Sequence, residues 1–224
     1  MLAGAPIVWG GAPAIVDMRT GSTPMGAIET AMIDAGYAAV GKSLGMPTHA
    51  YLGATDSKVI DAQAGLETGM TALVGALAGI DMISGAGMLD FLLAQSPEKL
   101  VIDAEAIGMA QRLLRGISTP QTTLATGSFA AAGVEGRFLE LPETRALFKH
   151  EQFLPTKIID RTSRRAWLDA GGLDAFGRAR LRVDELVAKP VSAPDLEIAS
   201  ALAECVRSAG APFGLTAGGV LPGV

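Results

Sequence analysis

Asp56, Gln63 and Glu67 stand within one short stretch, and they are the residues best suited to chemistry. Carboxylates can hold or deliver a proton, and an amide can orient a polar neighbour. Just ahead of them Tyr51 and Gly53 close a brief apolar segment, and Lys58 and Asp61 fall between. Asp61 and Glu67 do not share a helical face, so at most one of them points inward beside Asp56. Simpler roles are open too. Asp56 suits a helix N-cap, and Lys58 suits a partner for Asp61 one turn away. A second polar group, Asp17 and Arg19, follows an earlier apolar segment that ends at Trp9. These two either line a site or pair with each other. Gly85, in Gly85-Ala86-Gly87, follows a third apolar segment.

The elements that must position these residues repeat one plan. Residues 6–9, 49–52 and 81–84 are short apolar segments that read as strands, each followed by a Gly-containing or polar loop. Helices are expected over 24–44, 58–78 and 97–115. The first has Thr23-Pro24 as cap and first helical residue, and Ile28, Ala31, Met32, Ala35, Ala39 and Val40 as its apolar stripe. Gly45 and Gly79 stop the first two helices, and Ser96-Pro97-Glu98 opens the third. Residues 122–126 form a fourth apolar segment. Strand–loop–helix repetition predicts right-handed βαβ units and a parallel sheet, whose strands carry polar residues at their carboxyl ends. The fold class is therefore α/β. An open doubly wound sheet and part of a (β/α)₈ barrel both fit. The lack of a GxGxxG after the first segment weighs against the former.

Beyond Gly136 the composition changes. Charged helices are expected over 143–152 and 173–189, a linker over 190–194, an amphipathic helix over 195–209 and a flexible Gly/Pro-rich tail over 210–224. The expected division is thus a β/α region over 1–136, a helical extension over 137–209 and the tail. Arg178, Arg180, Arg182, Asp184 and Glu185 form a solvated mixed-charge face.

Composition narrows the function. A net charge of -5 argues against a nucleic-acid or anionic-membrane partner. Hydrophobic residues make up 49% of the chain and mean hydropathy is +0.36, yet the uninterrupted apolar run at 70–80 is short of the ~20 residues a membrane span needs. One cysteine, Cys205, excludes an internal disulfide, and with two histidines, His49 and His150, a zinc site is not expected. No basic leader precedes the first apolar segment, and a reducing cytoplasm is the simplest compartment.

The motifs DMRTGSTPMGAIE, HAYLGATDSKVIDAQAGLETG, GAGMLDF, EKLVIDAE and FKHEQFLPTKIIDR, in this order, resemble those of the trimethylamine:corrinoid methyltransferase superfamily, from Ala3 to about Ala203. The resemblance is to the C-terminal part of longer members. It implies a partial (β/α)₈ TIM barrel, the C-terminal half with three to four β/α units, followed by C-terminal helices. It also implies transfer of a methyl group from a methylated amine, such as trimethylamine or a betaine, to the cobalt of a corrinoid (cobalamin). That cofactor is carried by a cognate corrinoid protein, and no metal is expected on this chain. Some members carry pyrrolysine in the site, and no such residue is present in this sequence.

Under that resemblance Asp56, Gln63 and Glu67 are the catalytic candidates, orienting the donor and easing departure of the amine. Tyr51, Gly53, Asp17, Arg19, Trp9 and Gly85 are the substrate-binding candidates, with Tyr51 and then Trp9 supplying aromatic faces for an ammonium. Half a barrel leaves strand edges open, so an N-terminal half, a partner chain or a homo-oligomer is expected. Two rivals remain: an inactive fragment serving as a binding or assembly module, and another parallel α/β enzyme whose Gly10-Gly11 or Gly85-Ala86-Gly87 cradles a phosphate.

Overall fold

The computed structural model describes residues 6–117, 126–189 and 195–211. The chain divides into two compact units, Met1–Asp184 and Glu185–Val224.

In the first unit, β1 (Trp9–Gly10), β2 (Thr48–Ala50) and β3 (Met82–Ile83) form a parallel sheet in the order β1-β2-β3. Trp9 stands opposite Thr48, and His49 opposite Met82. Helices α1 (Ile28–Ser43) and α2 (Ala62–Leu77) follow β1 and β2, and α3 (Pro97–Leu114) follows β3. The α/β class and the βαβ order are therefore as expected. The described strands are only two or three residues long, and they do not close into a barrel. The fourth apolar segment lies outside the described residues except for Thr126, which begins α4 (Thr126–Ala132).

The core is built from small residues. Ala31, Ala38, Ala50, Leu52 and Ile80 are buried together, with Val74, Ala78 and Ile83 packed against them. Helix α1 does not bury the stripe its apolar residues suggest. Its inner face is Thr30, Ala31, Asp34, Ala38 and Gly41, while Met32 remains 65% exposed. Close approach to the sheet is the reason: a β-carbon on Gly41 would lie 2.5 Å from the Trp9 ring.

Helix starts also differ from expectation. Helix α1 begins after Ala27, several residues beyond Thr23, and no side chain caps it. Helix α2 begins after Asp61, whose carboxylate accepts the Ala64 N–H at 3.0 Å. Helix α3 opens as expected, with Ser96 Oγ accepting the Lys99 N–H. Gly45 and Gly79 end their helices at φ +70° and +69°, the left-handed region that favours glycine.

Between β3 and α3 the chain inserts an antiparallel ribbon absent from the sequence reading, β4 (Met88–Leu89) and β5 (Ala94–Gln95). Its turn runs through Asp90, Phe91 and Leu92 at φ +50°, +55° and +70°. Left-handed backbone costs a non-glycine residue roughly 1–2 kcal/mol, so three in a row is a strained turn. Behind it lies a buried ion pair. Lys99, 1% exposed, donates to Asp103 at 2.5 Å and to the Thr68 hydroxyl at 2.8 Å, and Asp103 also accepts the Gly87 N–H at 2.7 Å. Burial pushes the Asp103 carboxyl up, against the pull of Lys99 and Gly87.

After α4 come α5 (Pro142–Glu151), α6 (Arg164–Asp169) and α7 (Ala175–Val187). The boundary between the two compact units falls at Asp184, inside α7. The reason is that the segment after 136 is tied to α3. Arg112 donates to the Glu151 carbonyl at 2.7 Å, Glu105 accepts the Thr156 N–H at 3.0 Å, and Phe153 packs on Gly108. The second unit holds α8 (Leu196–Gly210), begun by Asp195, whose carboxylate accepts the Glu197 N–H. The expected tail lies outside the described residues from 212 onward. Among the described residues no helix is long and apolar enough to cross a membrane, and no group of three or more His, Cys, Asp or Glu could hold a metal ion.

Candidate active site

All three segments that leave the carboxyl ends of the parallel strands meet around one cavity of about 580 Å³. Its lining runs through 15–29 after β1, Asp56, Lys58, Gln63 and Glu67 after β2, and Phe91 after β3. Of the residues singled out in the sequence, Asp17, Arg19, Asp56, Gln63 and Glu67 share this space. Tyr51, Gly53, Trp9 and Gly85 do not line it.

Asp56 reaches across to the first unit of the repeat. Its two carboxylate oxygens accept the N–H groups of Met25 and Gly26, at 2.8 and 3.0 Å. It therefore caps the segment leading into α1, not the helix that follows it. Burial pushes the Asp56 carboxyl up; the Gly26 and Met25 N–H groups pull it back, and the nearby Glu67 charge adds to the rise.

Glu67 Oε2 accepts the Asp56 N–H at 2.8 Å and the Thr55 hydroxyl at 2.5 Å, while its Oε1 accepts the Gln63 amide N–H at 2.9 Å. Gln63 and Glu67 are one turn apart on α2, which puts them side by side. A β-carbon on Gly26 would lie 2.5 Å from Glu67 Oε2, so a side chain there would displace the Glu67 carboxylate.

Asp17 and Arg19 pair with each other. Arg19 donates to both carboxylate oxygens, at 3.1 and 2.8 Å, and holds the Asp17 carboxyl down at about 2. Lys58 does not pair with Asp61. Its ammonium donates to the Asp56 carbonyl at 2.8 Å, lies 3.5 Å from Asp90, and sits 4.0 Å above the centre of the Phe91 ring.

The four expected residues outside the cavity have structural contacts. Trp9 stacks on Tyr37 at 5.1 Å and donates its indole N–H to the Tyr37 carbonyl. Tyr51 meets His49 edge to face at 4.9 Å, and His49 is 2.7 Å from the Ser84 hydroxyl. Gly53, at φ +80°, donates its N–H to Thr71 and accepts from Thr68. Gly85 donates to the Leu52 carbonyl, so close that a β-carbon would lie 2.5 Å from that oxygen. Of the two expected phosphate cradles, Gly85-Ala86-Gly87 has its Gly85 and Gly87 N–H groups spent inside the protein.

The charge of the cavity is its chemical signature. Asp17, Glu29, Asp56 and Glu67 line it against Arg19 and Lys58. A site with this balance attracts a small cation, and Phe91 adds an aromatic face. The sequence favours Tyr51 for its place beside a strand end, whereas Phe91 reaches the cavity from a turn that carries no Asn-Gly or Asp-Gly signal. Its place in the GAGMLDF motif was the one available clue.

The model for trimethylamine methyltransferase (MTTB) matches residues 1–211. A trimethylamine methyltransferase of Desulfitobacterium hafniense is 35% identical over 79% of this chain and 35% of its own length. A second, from Methanosarcina mazei, is 34% identical over 87% of this chain and 40% of its own. A glycine betaine methyltransferase of Desulfitobacterium hafniense is 32% identical over 94% of this chain and 44% of its own. The chain thus spans well under half the length of these curated relatives. A family match along nearly the whole sequence means that the chain belongs to the trimethylamine methyltransferase family.

Proposed function

We propose that the protein takes a methyl group from a small tertiary or quaternary amine, of the trimethylamine or betaine type, and passes it to the cobalt of a corrinoid on a separate protein. One observation carries this reading: a cavity at the carboxyl ends of the parallel strands, with four carboxylates against two cations and one aromatic ring. Such a cavity suits an ammonium, and the family relatives are named for substrates that carry methyl groups on one nitrogen.

The corrinoid supplies the nucleophile that accepts the methyl group. A volume of about 580 Å³ lies in the range of small-molecule sites and is small for a corrinoid, which favours a cofactor held by a partner. The protein's own residues hold and orient the donor. In the transfer the N–CH₃ bond breaks and its electron pair stays on nitrogen, so a quaternary donor departs as a neutral amine and needs no proton to leave, whereas a tertiary donor reacts as its protonated ammonium and departs as a neutral secondary amine. Asp56, Gln63 and Glu67 form the floor under the nitrogen, and Asp17 and Arg19 form the rim. Tyr51, Gly53, Trp9 and Gly85 shape the segments that carry them.

The three described units are, in this proposal, part of a (β/α)₈ barrel. The outer edges of β1 and β3 have no strand partner among the described residues, which supports completion by an N-terminal half or a second copy.

The test supplies the purified protein with reduced cobalamin and, in turn, ¹³C-methyl trimethylamine and ¹³C-methyl glycine betaine. Carbon NMR then follows the label. Its appearance on cobalt is expected for at least one donor, and loss from neither would overturn the proposal.

A further inference from the structure

We propose that the ring of Phe91 receives the ammonium of the methyl donor, and that the Lys58 ammonium holds this ring while no donor is bound. The inference rests on the methyl-donor reading above and names the group that would recognise the donor's charge.

Three observations carry it. First, Phe91 is the aromatic residue lining the cavity, and it shares that space with Asp56, Gln63 and Glu67. A quaternary ammonium offers no N–H to donate, so an aromatic face with carboxylates nearby is what can hold it. Second, the face already carries a cation. Lys58 Nζ lies 4.0 Å from the ring centre, within the range at which a ring attracts a cation. Its side chain is 61% exposed, and the Asp56 carbonyl and Asp90 hold it beside the ring. The ring is thus presented to a positive charge, and the charge now on it belongs to a flexible side chain that can swing toward solvent.

Third, the backbone is bent to present the ring. Asp90, Phe91 and Leu92 are all left-handed, and Phe91 is only half-buried. The Asp90 N–H, bonded to the Ser57 carbonyl at 2.9 Å, fastens this turn to the loop that carries Asp56 and Lys58. Strain of this kind at a cavity wall is a mark of function more than of packing.

Lys58 and a donor ammonium then compete for one face. Tetramethylammonium is the probe, with tert-butanol as its uncharged analogue, and titration calorimetry reads the affinity. Phe91→Leu is expected to weaken tetramethylammonium binding roughly tenfold, while Phe91→Tyr keeps it within about twofold. Lys58→Met is expected to tighten it about threefold or more, because the resident cation is gone. Tert-butanol is expected to bind far more weakly and to be indifferent to Lys58.

Tetramethylammonium that fails to bind the wild-type protein would overturn the inference. So would equal affinity in a Phe91→Leu variant with an unchanged melting profile, or an equal loss of tert-butanol binding, which would mean shape filling. Should Phe91→Leu fail to fold, Lys58→Met decides: unchanged or weaker affinity overturns the proposal. Methyl transfer measured in parallel separates this inference from the function. Transfer whose KM ignores Phe91 rejects the role of the ring and leaves the function. Tetramethylammonium bound on Phe91 without any transfer does the reverse.

Discussion

Asp34 offers a sharp test of the energetics. It sits on the inner face of α1, 1% exposed, and neither carboxylate oxygen has a hydrogen-bond partner among the described residues. Burial alone pushes its pKa from 3.8 to about 6. A difference of about two in pKa corresponds to about 3 kcal/mol between the charged and neutral forms. The sign follows from which state binds the proton more tightly. The folded protein does, so Asp34 favours folding below about pH 4, and that advantage is lost as the pH rises through about 6. Asp34→Asn removes the charge. The amide also lacks partners, but its cost does not change with pH and enters only as a constant offset. Urea unfolding of both proteins at several pH values between 4 and 7.5 gives the difference in stability. The variant is expected to gain on the wild type by about 3 kcal/mol across that window, equivalent to roughly 6–12 °C in melting temperature at neutral pH. Parallel pH profiles for the two proteins would refute the reasoning.

Other outcomes follow from the same contacts. Lys99→Met leaves Asp103 buried without its cation and is expected to cost about 3–5 kcal/mol in urea unfolding, most of it recovered when Asp103→Leu is added. Gly85→Ala places a methyl group against the Leu52 carbonyl and is expected to lower stability by about 1–3 kcal/mol or to block folding, as a thermal melt would show. Glu67→Gln keeps the shape but removes the charge that accepts the Thr55 hydroxyl and Asp56 N–H, so methyl-donor affinity is expected to fall roughly tenfold while stability drops by about 1–2 kcal/mol.

Features set by near neighbours in the chain could be read directly from sequence. The Ser96 cap, the glycine stops at Gly45 and Gly79 and the strand–helix order all depend on a few adjacent residues. What depended on distant residues was hidden. Met25 and Gly26 give their N–H groups to Asp56, about thirty positions on, so the local Thr23-Pro24 signal does not start α1. The apolar stripe of α1 misled because the sheet accepts only small side chains at close range, and Thr30, Asp34 and Gly41 face inward instead. For the site, chemistry-bearing types at strand ends draw attention to Asp17, Arg19, Asp56, Gln63 and Glu67, and these line one cavity. The aromatic ring that lines the cavity is Phe91 and not Tyr51. Tyr51 packs edge to face with His49, and the ring at the cavity is carried by a strained turn that has no Asn-Gly or Asp-Gly signal.

The span from Asp56 to Met25 and Gly26 has a consequence for how this pocket can change. The carboxylate that forms part of its floor also ties down the loop that forms its wall. Remodelling the floor to suit a different amine therefore slackens the wall as well, and new selectivity is easier to reach by altering the rim at 15–22, where side chains can be exchanged without releasing that tether.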